Sequence, residues 1–197
     1  YEAGADRYLL RHESATKELY EAIHSTESFE NRRQCLKNLK EIGFQTGAGF
    51  MVGLPNQTNE NLGDDLRFIK ELEPAMCGIG PFIPHKDTPL KDCEAGTTEK
   101  TIILLAITRL LLPKVLLPAT TALASINSNG RNEGLRAGAN VIMPNLSPMA
   151  VREKYSLYNN KAFILDEDAE YRDSIQQHLK EAGFELVVSR GDNPDFK

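Results

Sequence analysis

Three consecutive residues, Arg11, His12 and Glu13, place a fixed cation, an imidazole and a carboxylate at the end of a short apolar run, Tyr8-Leu9-Leu10. The run has the length of a strand. Polar groups crowded at the C-terminal end of a strand are where an α/β sheet or barrel puts its ligand site. Successive strand side chains alternate in face, so Arg11 and Glu13 are expected on one side and His12 on the other. A guanidinium beside a carboxylate can grip a ligand that carries both an anion and donor groups, such as an amino acid or a ribose. A surface salt bridge at a strand end accounts for the spacing equally well.

Other residues invite chemistry further along. Arg32 falls near the start of a helix opened by Ser28, where the partial positive charge of the helix end and a guanidinium together favour an anion; Arg33 beside it reads as solvated. Phe44–Pro55 reads as a strand bearing Gly47, Gly49 and Gly53. Glycine weakens a strand, so a ligand or another backbone is expected to approach closely there, unless the residues merely serve tight packing. The run matches neither a dinucleotide fingerprint nor a P-loop. Thr120 and Thr121 are adjacent hydroxyls that could bind a carboxylate or satisfy backbone groups. His85 and Asp87 share a loop, but one histidine and one aspartate make a poor metal site. Tyr155 and Tyr158 share a helix face and line either a pocket or the core.

The elements that must position these groups alternate. Gly4 reads as the cap of a helix already ending where the chain opens. Helices are expected over Ala15–Ser25, from Ser28 to Ile42 with Gly43 as its stop, over Glu60–Leu72, Thr97–Leu112 and Gly130–Ala137, from Ser147, and from Asp166–Asp168 to Ala182. Strands are expected at Met76–Pro84, Pro118–Ile126 and Asn140–Asn145, with a last strand-like run at Phe184–Ser189 and a frayed tail over Gly191–Lys197. Such alternation implies parallel strands joined by crossover helices, an α/β fold. Five strand–helix units suit either an open five-stranded sheet or the second half of an eight-stranded barrel, which takes about 250 residues. The division expected is a partial barrel over 1–160 and a C-terminal extension over 161–197.

The 197 residues carry a net charge of −5, which points away from nucleic acid. The apolar stretch from Ile102 to Leu117 is interrupted by Arg109, Pro113 and Lys114, too short and too polar to span a bilayer. The three cysteines, Cys35, Cys77 and Cys93, are dispersed, without CxxC or metal-ligand spacing. That usage fits a reducing compartment, hence the cytoplasm. Without an initiator methionine, and opening as a helix tail, the chain reads as part of something longer.

Five blocks, in unbroken order, carry a resemblance that runs to about Tyr158. They are Arg7-Tyr8-Leu9-Leu10-Arg11-His12-Glu13, Gly49-Phe50-Met51-Val52-Gly53, Gly78-Ile79-Gly80-Pro81-Phe82-Ile83-Pro84-His85, Pro118-Ala119-Thr120-Thr121-Ala122 and Gly138-Ala139-Asn140-Val141-Ile142-Met143-Pro144-Asn145. Together they resemble the FeFe-hydrogenase maturases of the biotin-synthase-like radical SAM family. The resemblance implies a (β/α)8 TIM-type barrel, with strands four to eight present here. It implies S-adenosylmethionine and a 4Fe–4S cluster held by a CxxxCxxC loop, which together yield a 5′-deoxyadenosyl radical. This sequence has no CxxxCxxC, so the cluster ligands are expected outside it and the piece alone is expected to be inactive. Some members carry a second cluster on C-terminal cysteines; Tyr155–Lys197 contains none, so no second cluster is expected.

Residue by residue, the resemblance assigns Glu13 to the ribose and amino group of S-adenosylmethionine and Arg32 to its methionyl carboxylate. Gly49, Met51 and Gly53 match an element near the adenine, with Met51 where the family has isoleucine, and Met76 matches a residue lining the cofactor cavity. Arg11, Thr120 and Thr121 match a substrate-carboxylate pocket, with Arg7, Tyr155 and Tyr158 around it. No metal ligand is assigned. The substrate implied is an anionic, cysteine-derived iron carbonyl cyanide species, and the implied partners are other hydrogenase maturation proteins, with no nucleic acid and no membrane. The alternatives are a methylornithine synthase, a biotin-synthase-like enzyme, and a non-catalytic half barrel that binds an anion.

Overall fold

The computed structural model describes residues 1–143, 151, 176–177, 179–187 and 189–196. Its elements follow in the order β1 (Arg7–Leu9), α1 (Lys17–Ile23), α2 (Phe29–Ile42), β2 (Gln45–Val52), α3 (Asn59–Leu72), β3 (Met76–Pro81), α4 (Thr98–Leu111), β4 (Pro118–Ala119), α5 (Thr121–Ile126), α6 (Gly130–Arg136) and β5 (Val141–Ile142). β1, β2 and β3 form a parallel sheet in chain order, and β4 pairs in parallel with β5. A parallel bridge from Met76 to Leu116 joins the two sheets, so all five strands make one series. The α/β alternation read from the sequence is therefore realised. Among the described residues no helix is long and apolar enough to cross a membrane.

Local chemistry explains the helix boundaries. The Ser28 and Thr97 hydroxyls accept from the backbone N–H of Asn31 and Lys100, and Thr58 forms a full capping box with Asn61. Gly43 ends α2 at φ +107°, a conformation that costs glycine little. Against the sheet these helices bury two apolar clusters. The smaller joins Leu36, Ala48, Phe68 and Leu72; the larger runs from Phe50, Val52 and Ile79 through Leu104, Leu105, Leu117 and Leu123 to Leu179. The larger also holds the Cys77 thiol, whose pKa burial pushes up to about 12, so the group behaves as a small apolar side chain. Arg33 is not simply solvated: its guanidinium stacks 4.3 Å over the Phe68 ring.

Three sequence expectations give way. Pro118–Ile126 is not one strand. β4 stops at Ala119, because the Thr120 hydroxyl accepts from Leu123 N–H and caps α5. The Thr-Thr pair that suggests β structure instead supplies the helix start. Phe184–Val187 forms no strand; Phe184 and Leu186 pack on the larger core without a pairing partner. Tyr1–Gly4 form a turn in which Gly4 N–H donates to Tyr1 O.

The tail is not frayed. Asn193 is 8% exposed and donates from Nδ2 to the carbonyls of Ala75 (2.9 Å) and Lys114 (3.1 Å), while its backbone N–H donates to Gln45 Oε1 at 2.9 Å. Asp192 Oδ1 accepts from Gln45 Nε2 at 2.6 Å and from Arg7 at 2.7 Å, and Lys114 reaches Asp195 at 2.5 Å. The tail thus crosses the N-terminal ends of β1 and β2 and the segments that enter β3 and β4. Sequence pattern could not disclose this, because the partners lie more than a hundred residues away for Ala75 and Gln45.

Candidate functional site

At the opposite, C-terminal end of the sheet the ladder is irregular. β1 pairs with β2 from Arg7↔Gln45 to Leu9↔Gly47, and contact resumes at Glu13↔Phe50. Four steps on one strand therefore match three on its neighbour, the signature of a bulge, which re-aims side chains. Glu13 takes φ +62°, a left-handed conformation uncommon outside glycine. Its carboxylate Oε2 lies 3.2 Å from Arg11 Nε, and Arg11 donates from its other end to Phe50 O at 2.7 Å. Arg11 and Glu13 do come together, as alternation suggests, but a bulge brings them there rather than a regular strand.

His12 turns the other way, as expected, and sequence reasoning assigned it nothing. It is 1% exposed, and Asp65 on α3 is fully buried against it. His12 Nδ1 accepts from Gly49 N–H at 3.3 Å, Nε2 lies 3.3 Å from Asp65 Oδ1, and Asp65 Oδ1 also accepts from Ala15 N–H at 2.5 Å. Burial holds the Asp65 carboxyl above its ordinary pKa. The available signal was Asp65 itself, a charged residue on the inward face of an amphipathic helix beside Phe68 and Ile69.

The glycines of β2, and Gly53 just after it, answer to the chain's own crowding. A Cβ on Gly49 would come within 2.1 Å of Gly78 O on β3, one on Gly53 within 2.3 Å of Gly96 Cα, and one on Gly47 within 2.7 Å of a Leu9 methyl. Close approach is real, and in each case the neighbour is protein. Register places Gly47, Gly49 and Met51 on one face with Met76, Gly78 and Gly80. Thr120 adjoins them, since a Cβ on Gly80 would meet its Oγ1 at 3.0 Å. Gln57, a second residue that sequence reading passed over, folds the loop after β2: its Oε1 accepts from Gly53 N–H at 2.7 Å and its Nε2 donates to Met51 O at 2.9 Å.

Not every candidate joins this end. Arg7 is at the start of β1, where it donates to Arg190 O and Asp192, away from Glu13. Among the described residues no hydrogen bond links Thr120 or Thr121 to Arg11. Arg32 lies on α2, where its Nε donates to Tyr20 Oη at 3.0 Å and its NH2 pairs with Glu27. Tyr20 Oη donates to the same Glu27 at 2.9 Å, and that bond, with the Arg32 contact, holds the Glu27 carboxyl below its ordinary range. The guanidinium thus already grips a carboxylate. His85 closes a turn, accepting from Asp87 N–H at 3.1 Å. Tyr155 and Tyr158 lie outside the described residues.

What this end can do follows from its unsatisfied atoms. Arg11 Nε and Glu13 Oε2 are buried and lack a well-formed hydrogen bond. A buried polar group without a partner costs roughly 1–3 kcal/mol. A ligand offering a hydroxyl or ammonium donor to Glu13 and an acceptor to Arg11 would relieve both, so the pair fits a polar group such as a ribose or an amino acid. Among the described residues no group of three or more His, Cys, Asp or Glu side chains is placed to hold a metal ion.

The Radical SAM superfamily model matches residues 1–69. The HydE subunit of the [FeFe] hydrogenase maturase from Thermotoga maritima is 53% identical over 167 residues, covering 85% of this chain and 48% of that protein. The 3-methylornithine synthase of Methanosarcina acetivorans is 30% identical over 188 residues, covering 93% of this chain and 51% of that one. The biotin synthase of Rippkaea orientalis is 30% identical over 142 residues, covering 72% and 38%. A crystal structure of methylornithine synthase superposes with a TM-score of 0.76 at 25% identity, over 95% of this chain and 54% of that one. The chain spans about half the length of the HydE and methylornithine synthase proteins it matches. It belongs to the radical SAM superfamily, among the biotin-synthase-like proteins that include HydE.

Proposed function

We propose that the chain is the part of a HydE-type maturase barrel, strands four to eight, that grips S-adenosylmethionine and an anionic, amino-acid-derived substrate. The observation that carries this reading is the Arg11–Glu13 ion pair, whose buried Nε and Oε2 lack a well-formed hydrogen bond at the C-terminal end of a parallel sheet. Identity favours HydE over methylornithine synthase, 53% against 30%. Glu13 would accept from the ribose and amino group. Gly49, Met51, Gly53 and Met76 would border the adenosine. Arg11 would hold a substrate carboxylate with Thr120 and Thr121. Tyr155 and Tyr158 would complete that pocket. Arg32 would receive the methionyl carboxylate in place of Glu27. Arg7 drops out of the pocket, because its guanidinium serves the tail.

Bound S-adenosylmethionine supplies the radical chemistry; this chain binds, orients and excludes water around it. The sequence has no CxxxCxxC, so the 4Fe–4S ligands of this reading lie outside it and no step is assigned to the cluster. The protein would work in the cytoplasm beside other hydrogenase maturation proteins, on a cysteine-derived iron carbonyl cyanide species. Calorimetric titration of S-adenosylmethionine into the reconstituted full-length protein tests the reading. Glu13→Ala is expected to weaken binding by about tenfold, the worth of one charge-assisted hydrogen bond. Unchanged affinity would overturn it.

A further inference from the structure

We propose that His12, held by Asp65, is a positioning residue that keeps the bulge open and so aims Arg11 and Glu13; the inference rests on the ligand reading of that pair. In a regular parallel ladder Gly49 N–H would donate to a carbonyl on the neighbouring strand. The extra residue between Leu9 and Glu13 breaks that pattern: the ladder bonds on either side are Leu10 N–H to Gly47 O, Glu13 N–H to Gly49 O and Met51 N–H to Glu13 O, while Gly49 N–H turns to the His12 ring. His12 Nδ1 fills the gap at 3.3 Å. A side chain therefore stands in for a missing backbone group at the point where the strand departs from its register.

The tautomer follows from the partners. Nδ1 accepts, so the imidazole proton sits on Nε2, facing Asp65 Oδ1 at 3.3 Å. Asp65 is anchored in turn by Ala15 N–H, two residues beyond Glu13. The ring is clamped edge-on against Phe68 at 4.7 Å and lies 5.8 Å from Phe50, whose carbonyl receives Arg11. The residues on both sides of His12 thus bear the ligand-facing groups, while His12 faces away. Its reach to ligand is only through the backbone it fixes.

Substitutions that separate the two nitrogens test this in the full-length reconstituted protein. Asn at position 12 keeps an acceptor where Nδ1 sits; Gln keeps a donor nearer Nε2 and lacks that acceptor. His12→Asn is expected to bind S-adenosylmethionine within about threefold of the parent, and His12→Gln about tenfold more weakly at a similar melting temperature. Nitrogen NMR of the parent should find His12 Nδ1 unprotonated. Equal affinities for the two variants and the parent, or a protonated Nδ1, would overturn the inference. If both variants fail to fold, the NMR tautomer decides it. Glu13→Ala separates the two readings. Weakened binding there with His12→Gln unaffected removes the positioning role alone, and unaffected binding in Glu13→Ala removes the ligand reading and this inference with it.

Discussion

The two ends of the same parallel sheet are built on opposite principles. At the N-terminal end the tail brings Asn193 and Asp192 to the strand starts, and Gln45, Ala75, Lys114 and Arg7 all find partners there. At the C-terminal end the ladder breaks, Glu13 adopts φ +62°, and Arg11 Nε and Glu13 Oε2 face each other buried, as an ion pair without a well-formed hydrogen bond. One end satisfies its polar groups within the chain; the other leaves a pair short of hydrogen bonds, which the proposed function gives to a ligand. The lesson is that a strained, under-satisfied end is tolerable when the far end and the core are satisfied.

Substitutions can break this contrast in graded steps. The largest effect is expected from Arg11→Ala in the full-length protein, which should abolish hydrogenase maturation in a reconstitution assay while leaving iron content and melting temperature near the parent's. Normal maturation would remove Arg11 from the site. Next comes Leu105→Ala in the shared core, fully buried, which should cost about 2–5 kcal/mol by denaturant unfolding. Gly49→Ala should cost about 1–3 kcal/mol, because the new methyl meets the Gly78 carbonyl and β3 must give way. Unchanged stability there would mean that the strands separate easily.

Smaller effects sharpen the comparison. Asn193→Ala should lose about 1–3 kcal/mol of stability, since Ala75 and Lys114 lose a donor, yet leave S-adenosylmethionine affinity unchanged. A loss of affinity would couple the two ends. The Asp192 carboxyl is held below its ordinary pKa, first by the Gln45 donor and then by Arg7. A depressed pKa means stability present above the unfolded carboxylate value and lost as pH falls through the folded one. The acid limb of a stability–pH profile should therefore flatten in Asp192→Asn. Smallest of all, Glu27→Gln should tighten S-adenosylmethionine binding by about threefold, if the competing carboxylate at Arg32 is worth what exposed pairs usually are. Weaker binding would instead make Glu27 a support for Arg32.

Residue types and spacing alone determined the α/β alternation, the helix stop at Gly43 and the caps at Ser28 and Thr97, because each rests on contacts within a few residues; alternation suggested the meeting of Arg11 with Glu13, but the bulge against β2 made it. The radical SAM kinship was legible for the same reason, as it is carried by contiguous blocks. Only the tertiary structure decided the rest. Thr120 looked like strand until its hydroxyl found Leu123 N–H, and Arg7 looked like a pocket residue until Asp192 claimed it. Gly49 needed β3 beside it, and Gly47 needed β1, before their neighbours could be identified. His12 looked idle until Asp65 and Gly49 closed around it. These are long-range partnerships in which local propensity is neutral, so the physics that selects them acts only once the strands are side by side.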